Sequence, residues 1–397
     1  MKMKKIISLF FTLVLTLIIS FSFSNTSFAS DIKYIPQSQA ESMAKTHINN
    51  RILQDKECPW KSQTKIGQVI SLYDPEDKVN SYVFNLTTDG KETGFIFVEA
   101  NKIEPVVQQF CYDGHFMNDK LLKSNESKLK TMDKYKFDKT KIYYLGSYKF
   151  LIKGTKNQSH KAYLNKNYSD ENNEEVFYDL TNSEILNYEK SEINKDYKKS
   201  IAAVQKLEDT KLSRSPRVNS KRDVDSLNSA NFFVTSDFSK DGFPGNCGPT
   251  SGTTLISYWA KQRGKSALFH ESWQWVHNGL YKHMNCSAAG CTNKEYYNGI
   301  LKYASYVRGV PATGSDILPY EKATFEKVKN CINSNQPFAV GLLHDPKYRN
   351  HFVTCFGYED NSDGKYLRIA DGWEHTHNMW YRYNLNYIDG FIYARWN

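Results

Sequence analysis

Cys247 is one of seven cysteines and stands where a helix is expected to begin. It follows the loop segment DGFPGN and precedes Gly248 and Pro249, and proline is favoured in the first helical turn. Leu255 and Trp259 continue an apolar stripe at helical spacing, and Gly264 is expected to end the helix. The partial positive charge at a helix N-terminus favours a thiolate, and its free N–H groups can stabilise an oxyanion. Cys247 is therefore a candidate nucleophile.

A nucleophilic thiol needs a base, and His351 is the best placed of the ten histidines. His351 opens the strand pattern HFVTCFGYE, Asp363-Gly364 predicts a turn, and KYLRIADGW returns with Asp371 near its end. The start of one antiparallel strand lies beside the end of the next, so we expect His351 and Asp371 to be neighbours. A side-chain acceptor on Asp371 would then fix the tautomer of the imidazole. His344 is the rival base, but it lacks a paired strand that carries a carboxylate.

The elements that must position these residues fall into two groups. After Cys247 we predict helices over 296–307 and 322–333, followed by the strands FAVGLL, HFVTCFGYE, KYLRIADGW and GFIYARW. Helices first and an antiparallel sheet last predict a helical lobe packed on a sheet lobe, with a cleft between them. Upstream, residues 31–55 show helical spacing, and residues 81–110 alternate as strands with a turn at Asp89-Gly90. The fold class is therefore α+β, with a smaller α+β domain before the catalytic one.

Residues 1–29 resemble a secretory signal peptide, with lysines before an apolar run and small residues near Ala29. The alternative is an uncleaved membrane anchor; no later stretch is long and apolar enough for a stable span. Residues 207–228 include the basic run KLSRSPRVNSKR, which predicts an exposed, cleavable linker or, alternatively, an ordinary surface loop. The expected domains are thus 30–206 and 229–397, and the protein is expected to be secreted or held at the cell surface.

Composition excludes few function classes. The net charge of +9 is dispersed among many acidic residues, and no nucleic-acid-binding motif is present. We expect no cofactor and no metal: His375 and His377 are more typical of a solvated loop than of a zinc site. Cys286 and Cys291 are the cysteines most suited to a disulfide, although with His283 they could also bind a metal.

The segments NCGPTSG, HFVTCFGY and IADGW together resemble the papain-like cysteine peptidases. Among these they are most similar to the bacteriocin-processing, double-glycine-leader peptidases, over roughly residues 230–397. The resemblance implies that Cys247 forms an acyl-enzyme with a peptide or protein substrate, that His351 transfers the proton, and that Asp371 orients His351. The backbone N–H of Cys247 would help to hold the oxyanion.

The sequence departs from that family at one position. The family places a glutamine several residues before the cysteine as an oxyanion donor, and this chain has no glutamine in SDFSKDGFPGN. Asp241 lies near the expected place, where a carboxylate would repel an oxyanion, and Asn246 offers an amide beside Cys247. Three alternatives follow: another group substitutes, activity is weak, or the domain is a catalytically degraded binding module. A cell-wall amidase or an acyltransferase on the same fold is a further alternative.

The segment YVFNLTTDGKETGFIFVEAN resembles the propeptide regions that precede streptopain-type secreted cysteine peptidases. This resemblance implies an intramolecular inhibitory domain over residues 30–206, which would block the cleft until the basic linker is cut. A permanent binding domain is the alternative.

Overall fold

The protein is described by a computed structural model that covers residues 34–100, 106–116, 118–146, 149–156, 175–181, 183–186, 220–227, 231–238, 245–345 and 347–396. These residues form an α+β structure with six α-helices and one large mixed sheet, which confirms the predicted class. The helices are α1 (Gln37–Gln54), α2 (Asn118–Lys130), α3 (Cys247–Gln262), α4 (Trp273–His283), α5 (Asn293–Lys302) and α6 (Phe325–Asn333). The expected signal peptide, residues 1–29, lies outside the described residues.

The sheet joins fifteen strands in two groups. The N-terminal unit, residues 34–186, contributes β1 (Lys65–Tyr73), β2 (Val79–Thr88), β3 (Lys91–Glu99), β4 (Val107–Cys111), β5 (Tyr135–Tyr144), β6 (Phe150–Lys156), β7 (Glu175–Asp179) and β8 (Glu184–Leu186). The C-terminal unit, residues 220–396, contributes β9 (Ser220–Asp223), β10 (Gly314–Pro319), β11 (Phe338–Asp345), β12 (Arg349–Asn361), β13 (Gly364–Ala370), β14 (Met379–Arg382) and β15 (Ile388–Arg395).

The strand order is β10-β15-β11-β12-β13-β14-β4-β3-β2-β1-β5-β6-β7-β8, and β9 pairs with β12 outside this path. Every pairing is antiparallel except that of β1 with β5. The two units meet where β14 pairs with β4, in a register that places Trp380 opposite Phe110 and Tyr381 opposite Gln109. The sheet therefore runs without interruption from one unit into the other.

The N-terminal elements follow the sequence pattern closely. The helix predicted over 31–55 is α1, whose Ala40, Ala44 and Ile48 are buried against the sheet. The β2–β3 turn falls on Asp89 and Gly90, with φ values of 52° and 76°. Two successive positive φ values suit the right-handed twist of a hairpin, which is why the Asp-Gly pair predicts this turn.

The C-terminal elements agree in order with the prediction and differ in extent. The helix predicted over 296–307 is α5 followed by a π-helical turn, Tyr303–Val307, and α6 begins three residues later than predicted. Helix α4 was not predicted. It contains Gly279, and glycine lowers helix propensity. A Cβ at this position would lie 3.0 Å from the Tyr303 ring, so close packing favours glycine there. The tertiary contact therefore outweighs the local preference.

The predicted linker, residues 207–228, requires a correction at its C-terminal end. Residues 220–223 form β9, in which Lys221 lies opposite Glu359 of β12. Val224 and Leu227 are buried in the core. Residues 220–227 therefore belong to the C-terminal unit. The rest of the predicted linker, 207–219 and 228, lies outside the described residues.

One apolar core extends through both units. Phe95 and Phe97 of β3 belong to the same buried cluster as Leu255 of α3 and Val353 of β12. None of the helices in the described ranges combines the length and the apolar character needed to cross a bilayer.

Candidate active site

Cys247 is the first residue of α3, as predicted, and is partly exposed. The first helical hydrogen bond runs from Thr250 N to Asn246 O at 2.9 Å. The N–H groups of Cys247 and Gly248 precede that bond, so the helix itself does not use them. The thiol thus lies at the positive end of the helix dipole, beside donors that suit a developing oxyanion.

Two glycines allow the loop of residues 286–291 to pack against the thiol. Gly245 has a φ of +67°, and a Cβ there would lie 2.3 Å from Ser287 O. At Gly248 a Cβ would lie 2.6 Å from the Cys291 sulfur. Both distances are shorter than a Cβ tolerates, so a side chain at either position would force the loop to shift.

His351 lies in β12, and its side chain is close enough to the Cys247 thiol for each group to shift the pKa of the other. Its Nε2 lies 2.7 Å from the main-chain oxygen of Asp371. The β12–β13 register pairs Thr354 with Ala370, which brings His351 and Asp371 to the same edge, as the hairpin predicted. The predicted side-chain contact is corrected, however, because the acceptor for His351 is the carbonyl of Asp371 and not its carboxylate.

The Asp371 carboxylate supports the loop that follows β13. Its Oδ1 accepts hydrogen bonds from Trp373 N at 2.9 Å and Glu374 N at 3.1 Å. Its Oδ2 lies 3.1 Å from the Tyr348 hydroxyl. The buried carboxylate therefore fixes the main-chain geometry that aims the carbonyl at His351, and it lies close enough to favour an imidazolium electrostatically.

The pKa shifts of the two groups are opposite in direction. Burial by itself raises the pKa of the Cys247 thiol, but the hydrogen bond and charge of His351 outweigh burial, and the pKa lies below its usual value. Burial by itself lowers the pKa of His351, but Cys247 and Asp371 outweigh it, and the pKa lies above its usual value. These directions favour a thiolate–imidazolium pair, in which each ion stabilises the other.

Hydrogen bonds fix α3 to the strand that carries His351. Ser251 Oγ lies 2.8 Å from Thr354 Oγ1, and Thr354 Oγ1 donates to Ser251 O at 3.1 Å. All of these atoms are buried, so the bonds hold the start of the helix at a constant distance from β12.

Two aromatic rings cover the imidazole. The Trp373 ring lies 4.6 Å from His351 between centroids, and the Tyr348 ring stacks at 5.6 Å with an interplanar angle of 7°. The rings restrict the rotation of His351 and limit the access of water to its contact with Asp371.

Residues 223–397 match the model of the Peptidase_C39 like family. The match supports a papain-like cysteine peptidase, and therefore a hydrolase, for this part of the chain. Cys247, His351 and Asp371 all lie within the matched range. No curated protein matches the chain.

The predicted oxyanion candidates, Asn246 and Asp241, stay predictions. Asn246 Nδ2 donates to Thr235 O at 3.1 Å, so one of its two amide hydrogens holds the loop before the helix. Asp241 lies outside the described residues. The donors that the structure places at the thiol are the main-chain N–H groups at the start of α3.

The other predicted residues have surroundings separate from Cys247 and His351. Cys286 and Cys291 are free thiols, and the neighbouring Cys286 together with burial raises the pKa of Cys291. His344 N is bonded to Asn350 Oδ1, and His375 Nε2 lies 2.9 Å from Asp237 Oδ2. Among the described residues, no group of three or more histidine, cysteine, aspartate or glutamate side chains is arranged to hold a metal ion.

Sequence reasoning missed the residues behind Asp371. Lys347 and Tyr348 are both buried, and Lys347 Nζ lies 3.9 Å from Asp371 Oδ2. Lys347 and Tyr348 occur in the segment HDPKYRN, whose polar composition resembles a solvated loop. One available signal was their position three and four residues before the candidate base.

Proposed function

We propose that the protein is a cysteine peptidase in which Cys247 is the nucleophile and His351 the general acid and base. The observation that carries this proposal is Cys247 at the start of α3 beside His351, which is itself held by the Asp371 carbonyl 2.7 Å from its Nε2. The pKa of Cys247 is lowered by His351, and the pKa of His351 is raised by Cys247, which supports the same pairing. Secretion, which residues 1–29 predict, is part of the proposal.

In the first half of the reaction, the Cys247 thiolate attacks the carbonyl carbon of a peptide bond. The carbonyl oxygen gains the negative charge, and the main-chain N–H groups of Cys247 and Gly248 stabilise it. The C–N bond breaks as the His351 imidazolium gives its proton to the leaving nitrogen. The products of this half are a free amine and a thioester on Cys247.

In the second half, neutral His351 takes a proton from water, and the resulting hydroxide attacks the thioester carbon. The C–S bond breaks, the carboxylic product leaves, and the thiolate–imidazolium pair is restored. The Asp371 carbonyl holds His351 in one orientation through both halves, since it accepts the hydrogen bond on the side away from the thiol.

Thiol alkylation and peptide hydrolysis together test this proposal. Full-length protein is treated with iodoacetamide between pH 5 and 9, and each cysteine is quantified by peptide mass spectrometry. Cys247 should react at pH 6, where an ordinary thiol of pKa about 8.5 is almost fully protonated. Cys58 is the internal reference, because it is also partly exposed and burial raises its pKa.

Hydrolysis of a diverse fluorogenic peptide library is measured on the same preparations. Cys247→Ala should abolish turnover, and Cys58→Ala should leave it unchanged. An added amine that captures the acyl group in place of water would assign acyl transfer. Absence of turnover, together with a Cys247 alkylation profile like that of Cys58, would contradict the proposal and favour a binding module.

A further inference from the structure

Gln109 of the N-terminal unit reaches the side of the active site that faces away from the thiol. It lies in β4, it is fully buried, and β4 pairs with β14 at the junction of the two units. Its side-chain oxygen accepts a hydrogen bond from Lys347 Nζ and lies 3.1 Å from the Tyr348 hydroxyl. Gln109, which lies 238 positions upstream of Lys347, therefore provides a hydrogen-bond acceptor for this buried lysine.

From Gln109 the contacts continue to Asp371. The Tyr348 hydroxyl lies 3.1 Å from Gln109 Oε1 and 3.1 Å from Asp371 Oδ2, and Lys347 Nζ lies 3.9 Å from the same carboxylate oxygen. A buried lysine and a buried aspartate each cost free energy unless they are paired and hydrogen-bonded. Gln109 supplies an acceptor for the lysine, and so helps to keep the ion pair in place.

From Asp371 the contacts reach the imidazole and then the thiol. The carboxylate holds the N–H groups of Trp373 and Glu374, and this geometry aims the Asp371 carbonyl at His351. A change at Gln109 is therefore transmitted through Lys347 and Tyr348 to Asp371. From there it alters the orientation of His351.

The N-terminal unit also holds the segments on either side of the base. The Tyr144 hydroxyl donates to Lys347 O, and Arg349 Nε donates to Leu145 O. After β13, the Asp113 carboxylate accepts from Thr376 Oγ1 at 2.7 Å and from Asn378 Nδ2 at 2.8 Å.

A second set of buried charges fixes α1 to the C-terminal unit. Arg51 Nη2 lies 2.7 Å from both Asp55 Oδ2 and Glu359 Oε2, and Lys221 Nζ lies 2.9 Å from Asp55 Oδ1. Removal of α1 would leave the buried carboxylate of Glu359 without its cation, which is costly. In the parts of the chain that the structure describes, His351 is held by the Asp371 carbonyl, and the groups that shift the pKa of Cys247 also belong to the C-terminal unit.

We propose that the N-terminal unit is a permanent part of the catalytic machinery, and that its Gln109 is a positioning residue for His351 through Lys347, Tyr348 and Asp371. This inference rests on the proposed function of Cys247 and His351. It differs from the inhibitory propeptide expected from the sequence, because the contacts support the base and the shared core would be exposed if the unit were removed.

The matched pair Gln109→Met and Gln108→Met tests the positioning role. Both glutamines lie in β4 and are fully buried, but within the described structure neither polar side-chain atom of Gln108 has a hydrogen-bond partner. Methionine keeps the length of the side chain and removes the acceptor. The readouts are the Cys247 alkylation rate at pH 6, kcat and KM on a fluorogenic peptide, and the melting temperature.

We expect Gln109→Met to lower the alkylation rate and kcat roughly ten-fold with little change in KM, because a misplaced base slows chemistry more than binding. Gln108→Met should retain wild-type kinetics, and Gln109→Glu, which keeps an acceptor for Lys347, should restore most of the rate. If the two methionine variants have equal kinetics and Cys247 of the wild type is alkylated at pH 6, this inference is overturned but the proposed function is not. A wild type that neither alkylates at pH 6 nor hydrolyses peptides would instead overturn the proposed function.

Cleavage between the units separates permanence from inhibition. A specific protease site is inserted between residues 211 and 219 of the full chain, and the cut protein is examined by gel filtration in native buffer. The two fragments should elute together and retain the activity of the uncut chain. Fragments that separate and leave a more active C-terminal piece would overturn the inference in favour of the inhibitory propeptide.

Discussion

The thiol side and the imidazole side of the site are built in different ways. Cys247 is placed by the start of α3 and by loops of the C-terminal unit that pack against Gly245 and Gly248. His351 is placed by Asp371, whose support extends through Lys347 to Gln109 in the other unit. The proposed nucleophile therefore depends on local backbone geometry, and the proposed base depends on buried polar contacts between residues far apart in sequence.

This difference determines which substitutions affect chemistry and which affect folding. A helix start is stabilised by its own backbone and by close packing, so changes there act mainly on stability. A buried network has partners that cannot be replaced by water, so the loss of one member disturbs the others.

The largest effect is expected on the imidazole side, from His351→Ala. Removal of the general acid and base should lower kcat/KM about 10³-fold. Burial would then act on Cys247 without its counter-ion, so its thiol pKa should rise and alkylation at pH 6 should be lost. Alkylation measured from pH 5 to 9 checks this, and an unchanged profile would show that His351 does not form the ion pair.

A smaller effect separates the two functional groups of Asp371. Asp371→Ala leaves the N–H groups of Trp373 and Glu374 without their acceptor and should lower kcat/KM roughly 10²-fold. Asp371→Asn keeps a side-chain oxygen for those donors and the carbonyl for His351, so its loss should be about ten-fold or less. Steady-state kinetics compare the variants, and equal losses would mean that the carboxylate itself, not the carbonyl, orients His351.

On the thiol side, Gly248→Ala should change stability more than chemistry. The added methyl group would lie 2.6 Å from the Cys291 sulfur, and such overpacking costs roughly 1–3 kcal/mol. Urea unfolding measures the loss, and adding Cys291→Ala should recover part of it because the clashing atom is removed. A double variant no more stable than Gly248→Ala would disprove this contact.

The smallest effect concerns the bond that joins the two sides. Ser251→Ala removes the hydroxyl that pairs with Thr354 and should lower the free energy of unfolding by about 1 kcal/mol. Since Thr354 Oγ1 still donates to Ser251 O, kcat should change by less than two-fold. A large fall in kcat without loss of stability would show that the bond positions the helix for chemistry.

Local patterns predicted α3 and the β12–β13 hairpin because their signals lie within a few residues. Proline after Cys247 and the Asp363-Gly364 turn specify backbone geometry directly. The same reasoning assigned 220–222 to an exposed linker from their basic residues. That assignment was wrong because Lys221 pairs with Asp55 and Glu57, which lie more than 160 positions away.

The sequence by itself determined a thiol at a helix start, a histidine near the start of a strand and an aspartate at the same edge of the hairpin. Only the tertiary structure decided that the carbonyl of Asp371 is hydrogen-bonded to His351. It also decided that Lys347, Tyr348 and Gln109 lie behind the carboxylate. The physical reason is how far apart in sequence the interacting residues lie. Helix starts and hairpin turns follow from the conformational preferences of neighbouring residues, whereas a buried lysine gains its partners only when a strand more than 200 positions away enters the same sheet.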